Sequence, residues 1–219
     1  MFFLRSRHPL QSALAIMLGA TMMALTACTQ PMSQPKPEYR QNPSPQQAYR
    51  LTVTIRDAPG PFAKVIGFTQ YDVVNRECLP PPKDNPGGYT SPVPTRSPQF
   101  ALEQVSESEY TGIVYTDGMI DEDYHGRGVC RWRLQNVQVQ LKATEAGSDT
   151  LFMADLYGEE LLTGQPKTIH YWKGSYPGDP TSSIVDFPDS GQTDRSRMSS
   201  SLSDDDVFQI TLSARQEAP

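Results

Sequence analysis

The stretch GVCRWRLQNVQVQLK, residues 128–142, carries the clearest strand pattern of the chain and a change of phase within it. Side chains alternate between the two faces of a strand, so the apolar residues of one strand should share one parity. Here the apolar positions move from even to odd: Cys130, Trp132 and Leu134 come first, and Val137, Val139 and Leu141 follow. We therefore predict a β-bulge or sharp bend near Gln135 and Asn136, of the kind by which a strand crosses between the sheets of a sandwich.

Segments on either side repeat the two-residue period. Residues 51–56 and 208–212 both alternate aliphatic or aromatic side chains with polar ones. Between them we predict further strands near residues 68–75, 99–105, 109–116, 128–142, 150–156, 167–173 and 183–187, separated by clusters of Pro, Gly, Asn and Asp. No segment shows a helical apolar stripe over three turns. The sequence thus predicts an all-β fold, a single antiparallel β-sandwich domain over residues 49–219.

Two long, turn-rich segments interrupt these strands. Residues 79–98 hold seven prolines, and residues 176–206 are dominated by Ser, Asp, Pro and Gly. Loops of this length are uncommon in a compact domain unless they bind something or are disordered. We treat both as candidate contact surfaces and expect 176–206 to be a long loop with some mobility.

The N-terminus has the features of a lipoprotein signal. Arg5 and Arg7 precede an apolar run over residues 10–25 that is too short and too interrupted for a stable membrane span. The tetrad Leu25, Thr26, Ala27 and Cys28 then matches the bacterial lipobox. We predict that the signal peptide, residues 1–27, is removed and that Cys28 carries acyl chains such as palmitate. Each buried methylene of those chains would contribute about 0.8 kcal/mol to membrane binding.

Removal of this signal leaves a strongly acidic chain. Residues 1–27 contain two basic and no acidic side chains, so the mature chain has 17 basic against 25 acidic residues, a formal charge of −8. An acidic protein is a poor candidate for binding nucleic acid or anionic lipid headgroups. Because Thr29 rather than Asp follows the lipidated cysteine, we expect a location in the outer membrane, facing the periplasm. Contact with the membrane is then through the lipid alone.

A proline-rich segment separates the anchor from the predicted strands. Residues 28–48 contain five prolines among Gln, Ser and Asn and have almost nothing apolar to bury. We predict a disordered tether. Twenty residues in a polyproline-like conformation, at about 3.1 Å each, would span roughly 60 Å.

Two cysteines remain after Cys28 is assigned to lipid. Cys78 and Cys130 form an even pair in an oxidising compartment, where such pairs are usually bridged. We predict a disulfide between them, worth about 4 kcal/mol in the chain-entropy account. A metal site would require more ligands than the sequence near Cys78 offers.

The residues for catalysis are sparse. His125 and His170 are the two histidines of the mature chain, and the Gly-x-Ser-x-Gly motif of serine hydrolases does not occur. A calcium loop that started at Asp121 would place Trp132 at the twelfth position, where a bidentate Glu is required, so the EF-hand interpretation fails. We predict neither enzymatic activity nor a cofactor, although a looser calcium or zinc site remains an alternative.

The same acidic segment is the best candidate for binding a partner. It lies between two predicted strands, and its polar side chains should be solvated and available. The candidate contact residues are Asp117, Asp121, Glu122, Asp123, Tyr124, His125 and Arg127.

This segment also resembles a known family. The strings DEDYHGRGVCRW, residues 121–132, and YTGIVY, residues 110–115, are similar to lipoproteins associated with type VI secretion phospholipase effectors, which act as cognate immunity proteins. DAPGPF at 57–62 and CLP at 78–80 resemble that group too, whereas the chain from Tyr176 onward does not. The resemblance implies a periplasmic inhibitor that binds a lipase and blocks its active site or substrate entry.

Two other functions fit the same sequence. One is a structural or general envelope lipoprotein, for example of a secretion apparatus, which would be needed whether or not a toxin is present. The other is an enzyme or metal-dependent binding module built on the acidic segment. An immunity protein differs from both in needing a stable scaffold, a tether and charge-patterned loops without chemistry of their own.

Overall fold

The computed structural model describes residues 37–82, 93–179 and 183–218. The predicted signal peptide, Cys28 and the first part of the predicted tether lie outside these ranges, as do residues 83–92 of the predicted proline-rich loop. Within the described ranges, no helix has the length and apolar character needed to cross a membrane.

Strands make up most of the regular structure. The described residues form eleven strands and one short α-helix, α1 (Gly158–Thr163). The strands are β1 (Ala48–Arg56), β2 (Lys64–Val73), β3 (Thr95–Arg96), β4 (Gln99–Phe100), β5 (Glu103–Ser106), β6 (Glu109–Tyr115), β7 (Trp132–Lys142), β8 (Leu151–Tyr157), β9 (Lys167–Trp172), β10 (Pro188–Asp189) and β11 (Val207–Gln216).

These strands form two sheets. One has the order β5-β6-β1-β11-β9, and the other has the order β10-β8-β7-β2-β3 with β4 also beside β2. The pairings are antiparallel except for β10, which runs parallel to β8. The predicted all-β class is therefore confirmed, and the prediction of purely antiparallel pairing is wrong at β10.

Both sheets bury side chains in one hydrophobic cluster. In β1, Leu51 and Val53 are fully buried, and in β11 Ile210 and Leu212 are too. The other sheet contributes to the same cluster through Val137, Val139 and Leu141 of β7 and Phe152, Ala154 and Leu156 of β8. The two-residue period puts these residues on one face of each strand. Burial of each large aliphatic side chain contributes about 1.5–3 kcal/mol, so this shared cluster is the main source of stability.

The change of phase in β7 is a β-bulge. Gln70 of β2 pairs with Asn136, but the next residue of β2, Tyr71, pairs with Leu134, so Gln135 is the extra residue. The predicted bulge is confirmed. The strand does not cross between sheets there, however, because β2 remains its partner on both sides of the bulge.

The crossing lies instead in the segment predicted as one strand over 99–105. β4 pairs with β2 in one sheet, whereas β5 pairs with β6 in the other. The chain therefore passes from sheet to sheet at residues 101–102. A single strand was the wrong prediction because local alternation does not reveal which partner each half will find.

The C-terminal loop also departs from the sequence expectation. Residues 183–187 do not form the predicted strand, and the short β10 follows them. Farther on, His170 and Gln192 exchange two backbone hydrogen bonds of 2.8 and 2.9 Å. Part of the predicted loop 176–206 is thus fixed to β9 by backbone pairing.

Candidate functional site

The acidic turn, defined here as residues 116–131, connects β6 to β7. Its start packs against the N-terminal segment, defined here as residues 37–47. Gln41 forms an isolated β-bridge with Met119. Beside that bridge, Asn42 N–H donates to the Gly118 carbonyl at 2.9 Å and Ile120 N–H donates to the Arg40 carbonyl at 3.0 Å.

Asp117 holds the N-terminal segment in place. Its carboxylate accepts hydrogen bonds from the backbone N–H groups of Gln46 at 2.8 Å and Gln47 at 3.0 Å. The predicted disordered tether over 28–48 is therefore wrong for its second half, because residues 37–47 belong to the folded domain. Composition could not show this, since the contacts use backbone groups and a carboxylate about 70 residues away in sequence.

Asp123 organises the tip of the turn. Its Oδ1 accepts from the N–H of Arg127 at 2.9 Å. Backbone N–H groups, led by those of Gly128 and Arg127, hold the pKa of the Asp123 carboxyl below its usual value because they stabilise the charged form. Gly126 and Gly128 have φ values of 67° and 102°, which favour glycine. The tip is thus a preorganised loop.

Two further acidic side chains also have partners within the domain. Asp121 Oδ1 accepts from the backbone N–H of Trp132 at 2.8 Å, and Glu122 forms an ion pair with Arg40 at 2.7 Å. The backbone carbonyl of Glu122 accepts a hydrogen bond from Cys130 N–H at 2.9 Å, which holds these two residues of the turn side by side. Replacing the acidic residues together would therefore disturb the turn itself as well as its surface charge.

An aromatic cluster of Tyr39, Tyr124, His125 and Trp132 lies under the turn. The Tyr39 ring is 5.0 Å from that of Tyr124 and 5.2 Å from that of Trp132, both edge-to-face, and its hydroxyl is 3.2 Å from His125 Nε2. The Arg96 guanidinium lies 4.8 Å above the Tyr39 ring. Burial raises the pKa of the Tyr39 phenol. Tyr124 and His125 thus contact the N-terminal segment and are only partly available to a partner.

The C-terminal end of the acidic turn is attached to a small buried cluster. Cys78 and Cys130, both fully buried, have Cα atoms 5.2 Å apart and sulfur atoms at bonding distance, as the sequence predicted. Val73 and Leu79 complete this small buried cluster. The pairing fixes the end of the turn two residues before β7 begins.

The predicted contact residues therefore divide into two groups. Asp117, Tyr124 and His125 are half-buried and shape the turn from within. Asp121, Asp123 and Arg127 are exposed, and Glu122 is half-buried beside them. In the described ranges no three His, Cys, Asp or Glu side chains are grouped as a metal site would require.

Sequence reasoning missed a cleft beside the acidic turn. Its volume is about 990 Å³. The N-terminal segment, the acidic turn, the first residues of β7 and α1 surround it; its lining includes Asp117, Asp121, Trp132, Arg133, Tyr157, Glu159 and Leu162. Tyr157 and Leu162 are 56% and 60% exposed, which is high for large apolar side chains. The adjacent leucines at 161 and 162 were a possible signal, because a six-residue helix cannot bury both.

The bulge and the helix together shape this cleft. The backbone of α1 approaches the bulge so closely that a Cβ at Gly158 would clash with the Leu134 carbonyl oxygen. Glu160 accepts from the Tyr157 N–H at 2.8 Å and binds Lys167 Nζ at 3.0 Å. α1 is therefore held against β7 and β9 while Tyr157 and Leu162 face outward.

Comparison of the chain with protein-family models, with curated proteins and with solved structures gives no match.

Proposed function

We propose that this protein is a periplasm-facing lipoprotein that binds and inhibits a cognate secreted phospholipase, acting by contact rather than by catalysis. The observation that carries this proposal is the preorganised tip of the acidic turn. Arg127 and Val129 project there, with Val129 50% exposed, while the Asp123 carboxylate and the Cys78–Cys130 pair hold the backbone. A loop ordered before binding loses less conformational entropy when it docks, which favours tight association.

The charge of the domain supports the same proposal. The mature chain carries a formal charge of −8, and Asp121 and Asp123 are exposed on the turn. Complementary charge on a partner raises the association rate, which matters for an inhibitor that must bind a toxin before the toxin reaches lipid. The sequence resemblance to immunity lipoproteins agrees with this role.

The anchor and the arrangement of the sheets are part of the proposal. We infer that Cys28 is lipidated in the outer membrane, facing the periplasm. Only eight residues then separate Cys28 from Pro37, where the described domain begins, and they span at most about 30 Å. We also infer that the two sheets pack as a β-sandwich, because both contribute to one buried cluster.

Co-expression with candidate phospholipases directed to the periplasm tests the inhibitory function. Growth should be rescued by the wild-type chain, and the purified proteins should form a complex. Arg127→Ala should weaken that complex without loss of stability, because it removes an exposed side chain at the tip whose guanidinium makes no hydrogen bond to any described residue. Arg215→Ala, at an exposed arginine near the end of β11, is the matched control and should bind normally. Failure of every phospholipase tested to bind would contradict the proposal.

The eight-residue segment between Cys28 and Pro37 is equally compatible with the alternative of a structural envelope lipoprotein. A domain held within about 30 Å of the lipid would suit a fixed component as well as an inhibitor. Deletion of the gene distinguishes the two. Envelope defects in the absence of any toxin would support the structural role, whereas sensitivity only to a phospholipase would support the inhibitory one.

A further inference from the structure

We propose that the cleft between the acidic turn and α1 is a docking site for a cationic, apolar segment of a partner protein. This deepens the proposed function and rests on it for the identity of the partner. The cleft is distinct from the projecting tip at Arg127, which is not among the lining residues.

The shape and apolar character of the cleft favour a short peptide segment. Its volume of about 990 Å³ is near the upper end of the usual range for binding clefts, about 300–1,000 Å³, and it exceeds what one side chain fills. Two exposed apolar side chains lie on the wall of the cleft. They are Tyr157, at the end of β8, and Leu162, on α1. Exposed apolar side chains gathered at a cleft are typical of protein contact sites.

The charge of the lining selects the occupant. The described lining residues include three acidic side chains, Asp117, Asp121 and Glu159, and one basic side chain, Arg133, so the lining has a net negative charge. Lys167 lies 4.7 Å above the Tyr157 ring, but its charge is offset by ion pairs with Asp155 and Glu160. Hydrogen bonding of Asp117 and Asp121 to backbone N–H groups orients the carboxylates but does not remove their charge. A segment with apolar side chains between lysines or arginines therefore complements the cleft, and an acidic segment would be repelled.

The geometry of the cleft is fixed before binding. The Gln135 bulge lies directly under α1, and Lys167 ties the helix to the sheet through Glu160 and Asp155, at 3.0 and 3.3 Å. Asp117 ties the opposite wall to the N-terminal segment. An occupant would therefore find both walls in position and would not have to order them.

A fluorescence titration tests the proposal on the mature lipoprotein in phosphatidylcholine nanodiscs. The chain has two tryptophans, so Trp172→Phe leaves Trp132, which lines the cleft, as the single reporter. The probes are the capped peptides Lys-Leu-Lys-Leu-Lys and Glu-Leu-Glu-Leu-Glu, with empty nanodiscs as the blank. The lysine peptide should change the Trp132 emission saturably, and the glutamate peptide should not. Equal responses to the two peptides, or no response to either, would overturn the proposal.

A matched pair of variants locates the binding. Leu162→Lys places a like charge in the cleft and should weaken the lysine peptide by about tenfold or more. Val105→Lys, an equally exposed position (61%) on β5, should bind as the wild type does. Both are exposed, so their melting temperatures should match the wild type. Unchanged affinity in Leu162→Lys would show that the peptide binds elsewhere and would overturn the proposal.

The same variants separate this inference from the proposed function. If a phospholipase binds the wild type and Leu162→Lys equally well, the docking site is wrong while the inhibitory function stands. If the lysine peptide binds in the cleft but no phospholipase does, the docking site stands and the proposed partner is wrong.

Discussion

Removal of the bond between Cys78 and Cys130 should be the most costly change near the acidic turn. The two residues are 52 positions apart, and a closed loop of that length restricts the unfolded chain by about 4 kcal/mol in the chain-entropy model. Replacing both cysteines by Ala avoids placing hydroxyl groups at two fully buried positions. Because folded domains are stable by only about 5–15 kcal/mol, the double variant should lose a large share of its stability.

Urea unfolding of the oxidised wild type, the reduced wild type and the double Ala variant measures this loss. With a slope of about 2 kcal/mol per molar urea, the midpoint should fall by about 2 M in both the reduced protein and the variant. Val73→Ala, in the same buried cluster, is the control; its loss should be the same with and without reductant. A midpoint shift under about 0.5 M, or alkylation of both cysteines without reductant, would refute the reasoning.

Three further predictions concern the N-terminal segment, the tip and α1. Tyr39→Ala should lower the free energy of unfolding by about 2 kcal/mol, through loss of three ring contacts and the Arg96 interaction, and should speed hydrogen exchange at the Asn42 amide. Tyr39→Phe loses only the hydroxyl contact with His125 and should cost less than about 1 kcal/mol. Because the pKa of Asp123 is lowered in the folded state, its contribution to stability is complete above the ordinary value of 3.8 and is lost as pH falls through the folded pKa. The Arg127 amide, followed by NMR from pH 6 to pH 2, should therefore titrate with a midpoint below 3.8, and a midpoint above it would contradict the assigned hydrogen bonds. Leu161→Ala should cost about 2–5 kcal/mol in thermal or chemical unfolding and Leu162→Ala less than about 0.5 kcal/mol, and similar losses in the two would contradict the orientation of α1.

The local sequence pattern was enough to predict those features that depend on one strand or on one pair of residues. The period of two in β1 and β11 arises from the backbone itself, so the buried positions Leu51 and Ile210 could be found without any knowledge of their neighbours. The bulge at Gln135 was also predictable, because one inserted residue inverts the parity of every position after it. Pairing of Cys78 with Cys130 followed from there being one possible bridge once Cys28 is set aside.

The tertiary structure decided which segments meet, because that choice depends on partners far away in the sequence. Residues 37–47 look like a tether by composition, yet the Asp117 carboxylate and the Tyr39 contacts make them part of the domain. The 99–105 segment divides between two sheets because each half finds a different partner strand. The cleft also depends on contacts between distant segments, because its walls come from elements that are separate in sequence. The alternation of side chains within one strand does not show that these elements lie close together. The sequence alone thus determined the strands, the bulge and the cysteine pair, whereas the acidic turn's rigidity and the cleft beside it follow only from the packing of distant segments.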